Sequence, residues 1–151
     1  MLAKRCRVAL LLQVWHINER LKSTQEFLQI AITGDSTGRI QIWRQKNDFQ
    51  FFATEVHWHS LSVSCFAFSP EGVYFFSGGG EGAVLKWELV SGRRVALVPR
   101  LGSTVTSISA SDASVIVSTD TNLLKVFTPN LDDDQMITGL TKEIQDSGRA
   151  F

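Results

Sequence analysis

The chain has 151 residues, enough for one ordinary domain, and its fifteen basic and fifteen acidic residues cancel. At 44% hydrophobic and 20% charged it is composed like a globular protein and not like a disordered one. A formal net charge of zero excludes a chain-wide electrostatic footprint for nucleic acid, so any RNA contact has to be local or indirect.

Lys4, Arg5 and Arg7 precede an apolar run from Val8 to Val14. That order faintly resembles a signal peptide, but the run is short and no small-residue cleavage site follows, so it reads as a buried strand. No apolar run approaches the ~20 residues needed to span a bilayer. Trp15 to Glu26 is polar with scattered apolar positions and reads as a short helix or loop. From Phe27 the character changes. Phe27 to Ile32 is a strand run, Gly34 to Gly38 a turn, and Ile40-Gln41-Ile42-Trp43 alternates with the period of a half-buried strand. Phe49 to Val56 is the next strand.

The following unit is the clearest. Val63 to Phe68 is a strand, and Ser69-Pro70-Glu71-Gly72 a turn in which Pro fixes one dihedral and Gly accepts a positive φ. Val73 to Phe76 is a strand, Ser77 to Gly82 a turn, Val84 to Trp87 a strand, Ser91-Gly92 a turn and Arg94 to Val98 a strand. A weaker version follows: strands at Val105 to Ser109, Val115 to Val117 and Leu124 to Phe127, with a turn at Ala110 to Ala113. Asp132-Asp133-Asp134 reads as a solvated acidic loop or a docking point for a basic partner. Met136-Ile137 is a last short strand candidate, and residues 141–151 are expected to be a disordered tail.

These units repeat. Thr33-Gly34-Asp35-Ser36-Thr37-Gly38-Arg39-Ile40-Gln41-Ile42-Trp43 aligns with Ser77 to Trp87 and with Val117 to Phe127. Trp43 and Trp87 stand 44 residues apart, Trp87 and Phe127 40. A polar turn, an alternating strand and a closing aromatic at that period are the signature of propeller blades. The expected fold is all-β, about three four-stranded antiparallel blades, with residues 27–140 as a partial propeller and residues 1–26 unmatched. Propellers close with about 4–8 blades. Three blades therefore leave two open sides, expected to expose apolar faces, and predict a marginally soluble chain whose full protein carries further blades.

The pattern resembles the WD-repeat family. The resemblance implies a buried structural network of a His before the blade, a Ser or Thr in the second strand, an Asp in the next turn and the Trp of the third strand. His59, Ser77 and Trp87 match, and Glu81 takes the Asp position with a longer side chain. Thr33 and Trp43 match in the first unit, where Thr37 replaces the Asp. In the third unit Leu101 replaces the His, Thr121 the Asp, and the aromatic is Phe127. Trp58 stands where the family has Gly before the His.

The linkers add to the likeness. His57-Trp58-His59, Ala67-Phe68-Ser69, Ser77-Gly78-Gly79, Pro99 to Thr104 and Thr138-Gly139-Leu140 resemble the WD-repeat subunits of the t-UTP subcomplex of the small-subunit processome. This implies a non-enzymatic nucleolar scaffold with other processome proteins as partners. Contact with pre-rRNA or U3 small nucleolar RNA, direct or indirect, would follow, as would support of pre-rRNA cleavage and RNA polymerase I transcription. No cofactor, membrane or small-molecule substrate is implied. A WD-repeat adaptor in another pathway, such as a ubiquitin-ligase receptor or a trafficking coat, is the alternative.

Other chemistries fit less well. His57 and His59, on one strand face at i, i+2, with Cys65 could suggest zinc, but a zinc site needs three or four ligands, and Cys6 and His16 lie in the unmatched region. Two cysteines give no disulfide framework. Gly78 to Gly82 lacks the Lys and the helix of a phosphate loop. Ser77, His59 and Glu81 supply the residue types of a nucleophilic triad, yet the family resemblance makes them structural. Arg93, Arg94 and Arg100, with Lys86 and Lys125, form a candidate basic edge for RNA phosphates or a partner.

Overall fold

The computed structural model describes residues 11–17, 28–47 and 50–131. The described residues form eleven strands in three antiparallel meanders and include no helix. The first sheet joins β1 (Leu11–Ile17), β2 (Leu28–Gly34), β3 (Arg39–Asn47) and β4 (Gln50–His57) in sequence order. The second joins β5 (Val63–Phe68), β6 (Tyr74–Gly79), β7 (Val84–Glu88) and β8 (Arg94–Val98). The third holds β9 (Val105–Ala110), β10 (Val115–Thr119) and β11 (Leu124–Phe127). These are blades of an open, incomplete propeller.

β1 extends through Trp15, His16 and Ile17, which the composition placed in a helix or loop. It pairs with β2 over its whole length, Leu11 opposite Gly34 and Ile17 opposite Leu28. The first sheet thus draws a strand from the segment left unmatched by sequence. β6 runs on through Ser77, Gly78 and Gly79, so the turn before β7 is shorter than expected. Ser77 and Gly78 pair on both sides and Gly79 with β5, and the reversal falls on residues 80–82, where Gly82 has φ 77°. The strand candidate at Met136-Ile137, the Thr138 to Leu140 segment, the tail and the loop reading of residues 18–26 lie outside the described residues.

The blades stack face to face. Ile30, Ile32, Ile40 and Ile42 of the first sheet pack on Phe66, Phe68, Phe75, Leu85 and Trp87 of the second. The second sheet's other face, with Cys65, Ala67, Phe76 and Val84, packs on Val105, Ile108, Val115, Val117 and Phe127 of the third. β5 is therefore buried at nearly every position: as an inner strand it is covered on both faces and loses the alternation of a half-exposed strand. β4, an outer strand, is mostly exposed. Blades approach closely where β2 and β6 lack a side chain. A Cβ on Gly34 would stand 2.6 Å from Val63 Cβ, and one on Gly78 2.6 Å from Val105 Cγ1.

The two open faces differ from each other, which corrects the expectation of two apolar sides. In the first blade alternation puts Ile40 and Ile42 inward, so the outer face carries Thr33, Asp35, Arg39, Gln41, Trp43 and Glu55. The third blade's outer face mixes Ile116, Leu124 and Val126, the first two 38% and 48% exposed, with Ser107, Ser109 and Ser118. One side is polar and the other mixed.

Candidate functional site

The site builds outward from β6. Ser77 sits mid-strand between Phe66 and Leu85, and its side chain points into the face shared with the first blade. The link from β4 to β5 returns His59 to the same place, and β7 brings Trp87 alongside. Trp87 Nε1 donates to Ser77 Oγ at 2.8 Å, and Ser77 Oγ lies 2.8 Å from His59 Nε2. His59 Nδ1 donates to Glu81 Oε1. With Nδ1 protonated, Nε2 accepts the Ser77 hydroxyl, and the hydrogen bonds run in one direction from indole to hydroxyl to imidazole to carboxylate.

That arrangement requires a neutral imidazole. Burial holds the His59 pKa below its ordinary value, while the hydrogen bond and charge of Glu81 pull the other way. A second imidazole proton would also take from the Ser77 hydroxyl the nitrogen that accepts it. His59 and Ser77 are 1% and 0% exposed, so no substrate reaches the hydroxyl. Chemically the trio can fix the blade's register and can do no acyl transfer, because nothing outside the protein can approach Ser77 Oγ.

Glu81 fits despite its extra methylene because Gly79 is its neighbour. A Cβ on Gly79 would run into His59 Nδ1 and both Glu81 carboxylate oxygens. Glu81 Oε2 is buried without a hydrogen-bond partner among the described residues. Sequence reading missed the Gly79 compensation, although the glycine run held the signal.

The other blades show the network in reduced forms. In the first, Trp43 Nε1 donates to Thr33 Oγ1 at 3.0 Å. Thr37 lies outside that pair, its amide and hydroxyl both donating to Asp35 Oδ1. Burial pushes the Asp35 carboxyl up, but bonds from Thr37 and Arg39 outweigh it and leave the pKa below its ordinary value. In the third blade, the counterparts of His59, Ser77 and Trp87 are Leu101, Val117 and Phe127, all buried in one apolar cluster. A polar trio has been exchanged whole for an apolar one, which leaves no partner unsatisfied. Thr121 Oγ1 bonds Ser103 and Thr119 instead.

The zinc and basic-edge groupings come apart. His57 is exposed at the end of β4, its Nε2 3.2 Å from the Thr37 carbonyl oxygen, while His59 lies beyond the strand in the network. They share no strand face. Cys65 is buried, and that burial pushes its thiol up to about 11. Cys6, His16 and the Asp132 to Asp134 run are not among the residues whose side chains are described. Lys86 is not on the rim: it is 4% exposed, its Nζ 3.2 Å from Asn130 Oδ1 and 4.1 Å from the centre of the Tyr74 ring. Arg93 faces Glu88 at 3.9 Å, and Arg94 lies 5.4 Å over the Trp58 ring. Only Arg100 and Lys125 of the set come together, on a cleft of about 320 Å³ walled by Leu97, Val98, Pro99, Leu101, Phe127 and Leu131. Arg100 takes φ 48°, in the left-handed region that a non-glycine residue enters at a cost.

Residues 26–122 match the family described as the first beta-propeller of WD repeat-containing protein 75. The chain belongs to that family. It is 34% identical over 113 residues to WD repeat-containing protein 75 of Xenopus laevis and 32% identical over 114 residues to that of Homo sapiens. Those matches cover 73% and 74% of this chain, and the chain spans 14% of either relative's length. It is also 26% identical over 138 residues, 85% of this chain and 17% of the relative, to U3 small nucleolar RNA-associated protein 17 of Schizosaccharomyces pombe. Among solved structures, the C-terminal WD40 domain of Sif2 superposes with a TM-score of 0.59 at 15% identity, over 67% of this chain and 31% of that one. That likeness carries the blade architecture alone.

Proposed function

We propose that this chain is a non-enzymatic WD-repeat scaffold of the nucleolar small-subunit processome, supporting pre-rRNA processing and RNA polymerase I transcription. The observation that carries the reading is the family match, which runs through blades and linkers alike from residue 26 to 122. The name of the fission-yeast relative, a U3 small nucleolar RNA-associated protein, points to the same assembly. The sealed Ser77–His59–Glu81 trio supports a scaffold in preference to a hydrolase. The partners are other processome proteins, with pre-rRNA or U3 RNA reached directly or through them. Residues 27–140 are the working unit. Arg100, with Lys125 beside it, is the contact for an anionic partner; Arg93 and Arg94, engaged with Glu88 and Trp58, contribute at the rim.

The test is a pull-down of the tagged chain from nuclear extract, probed for U3 small nucleolar RNA and the other t-UTP subunits, with a full-length relative as positive control. Enrichment over an unrelated propeller is expected. Its absence, with the control enriched, means the docking surface lies outside this chain. Failure of both favours the adaptor reading.

A further inference from the structure

The cleft that holds Arg100 and Lys125 lies where the second and third blades meet, with β8 and β11 both contributing to its walls. Both are edge strands of their sheets among the described residues, a setting that suits an extended segment. Arg100 is held in place by its neighbour. Leu101, at the position of His59, is buried in the apolar cluster of the third blade, and its amide donates to the Gly82 carbonyl oxygen at 2.7 Å. The backbone enters the left-handed region at Arg100, φ 48°, and again at Leu131, φ 59°. Two of the three non-glycine residues with positive φ among the described residues therefore line this one cleft. Such backbone costs stability, persists only where the surroundings fix it, and collects at ligand clamps.

The charges of the cleft are unmet. The ion pairs among the described residues join Arg39 to Asp35, His59 to Glu81 and Arg93 to Glu88, and leave Arg100 and Lys125 without a partner. No acidic residue is in the lining. A guanidinium and an ammonium over aliphatic walls call for an anion carried beside an apolar group. RNA fits poorly, because single strands are held by bases stacked on exposed aromatic faces. The one aromatic of the lining, Phe127, is 4% exposed and offers no such face.

We propose that this cleft binds an extended acidic segment of a partner protein, a carboxylate meeting Arg100 and Lys125 and an adjacent aliphatic side chain resting on Leu97, Val98 and Pro99. The assignment rests on the reading of Arg100 and Lys125 as an anionic contact and adds that the anion is a carboxylate. Pre-rRNA and U3 RNA are then reached through proteins.

Fluorescence anisotropy on the purified full chain tests this with a labelled Leu-Glu-Glu-Leu peptide, its Leu-Gln-Gln-Leu counterpart and a short oligouridine. The acidic peptide should bind, the amide peptide should not, and the oligouridine should not displace it. Arg100→Gln and Lys125→Gln should each weaken binding about tenfold. Arg100→Gly suits the left-handed backbone, so it should melt no lower than wild type while losing the peptide, which separates lost binding from lost folding. Tighter binding of the oligouridine, equal binding of the two peptides, or indifference to both Gln variants overturns the assignment. So does binding that appears only when Asp132, Asp133 and Asp134 are changed to Asn, since the occupant is then the chain's own acidic run. If no peptide binds while the chain still retains U3 RNA or t-UTP subunits from nuclear extract, the cleft assignment falls and the scaffold reading stands.

Discussion

Changing His59 to Ala removes the acceptor of the Ser77 hydroxyl and the donor to Glu81 in one step. Ser77 is fully buried, so its hydroxyl proton finds no water, and an orphaned buried polar group costs about 1–3 kcal/mol. Glu81, with a side chain 18% exposed, turns toward solvent and adds less. The expected loss is about 2 kcal/mol out of a typical ~5–15. For a chain of this length that is about 4–8 °C in Tm. Urea unfolding followed by tryptophan fluorescence measures it. Ser77→Ala should cost a similar amount, because it strands Trp87 Nε1 and His59 Nε2. The double variant should cost little more than either single one, with a coupling of about 1–2 kcal/mol. A His59→Ala chain within about 0.5 kcal/mol of wild type, or two losses that simply add, would refute the network as a stability element.

Four further outcomes follow from the same geometry. Leu101→His buries an imidazole beside Val117 and Phe127, neither of which can bond it, and should lower the urea midpoint by about 1–3 kcal/mol equivalent, although it restores the family's residue. Because burial depresses the His59 pKa, the unfolded chain takes up its proton first as pH falls; stability should hold above about pH 6.5 and be lost below it down through the folded value, a slope absent from His59→Ala in paired urea titrations. Arg44 reaches from β3 to the Leu89 and Val90 carbonyl oxygens of the second blade, so Arg44→Ala should cost about 2 kcal/mol in thermal unfolding. Arg100→Glu should abolish retention of U3 RNA or processome subunits in the pull-down while leaving the melting curve in place, since the side chain is exposed.

The second blade was legible because each of its signals is local. The Ser69 to Gly72 turn, the aromatic at Trp87 and the offset of His59 from Val63 are all fixed by short-range geometry. What escaped depends on which face of a strand a neighbouring blade covers. Lys86 was read as a rim cation, yet it alternates with Leu85 and Trp87 and so shares the face of Val84, which the third blade buries. Tyr74 and Asn130 then take the ammonium. Arg44 shares the face of Ile40 and Ile42 in the same way and is 9% exposed, with burial lowering its pKa.

The error has one cause. An alternating strand in an isolated sheet has a wet face and a dry face, and a charged residue marks the wet one. A blade between two others has no wet face, so a charge there marks a place where one blade reaches across to bond the next. The same rule explains the first blade. Its outer face carries Gln41 and Glu55 where the second blade has Leu85 and Leu97, which marks it as a face that no apolar blade surface covers. A charge in these strands can therefore be interpreted only once the register, and the blade that covers its face, are known.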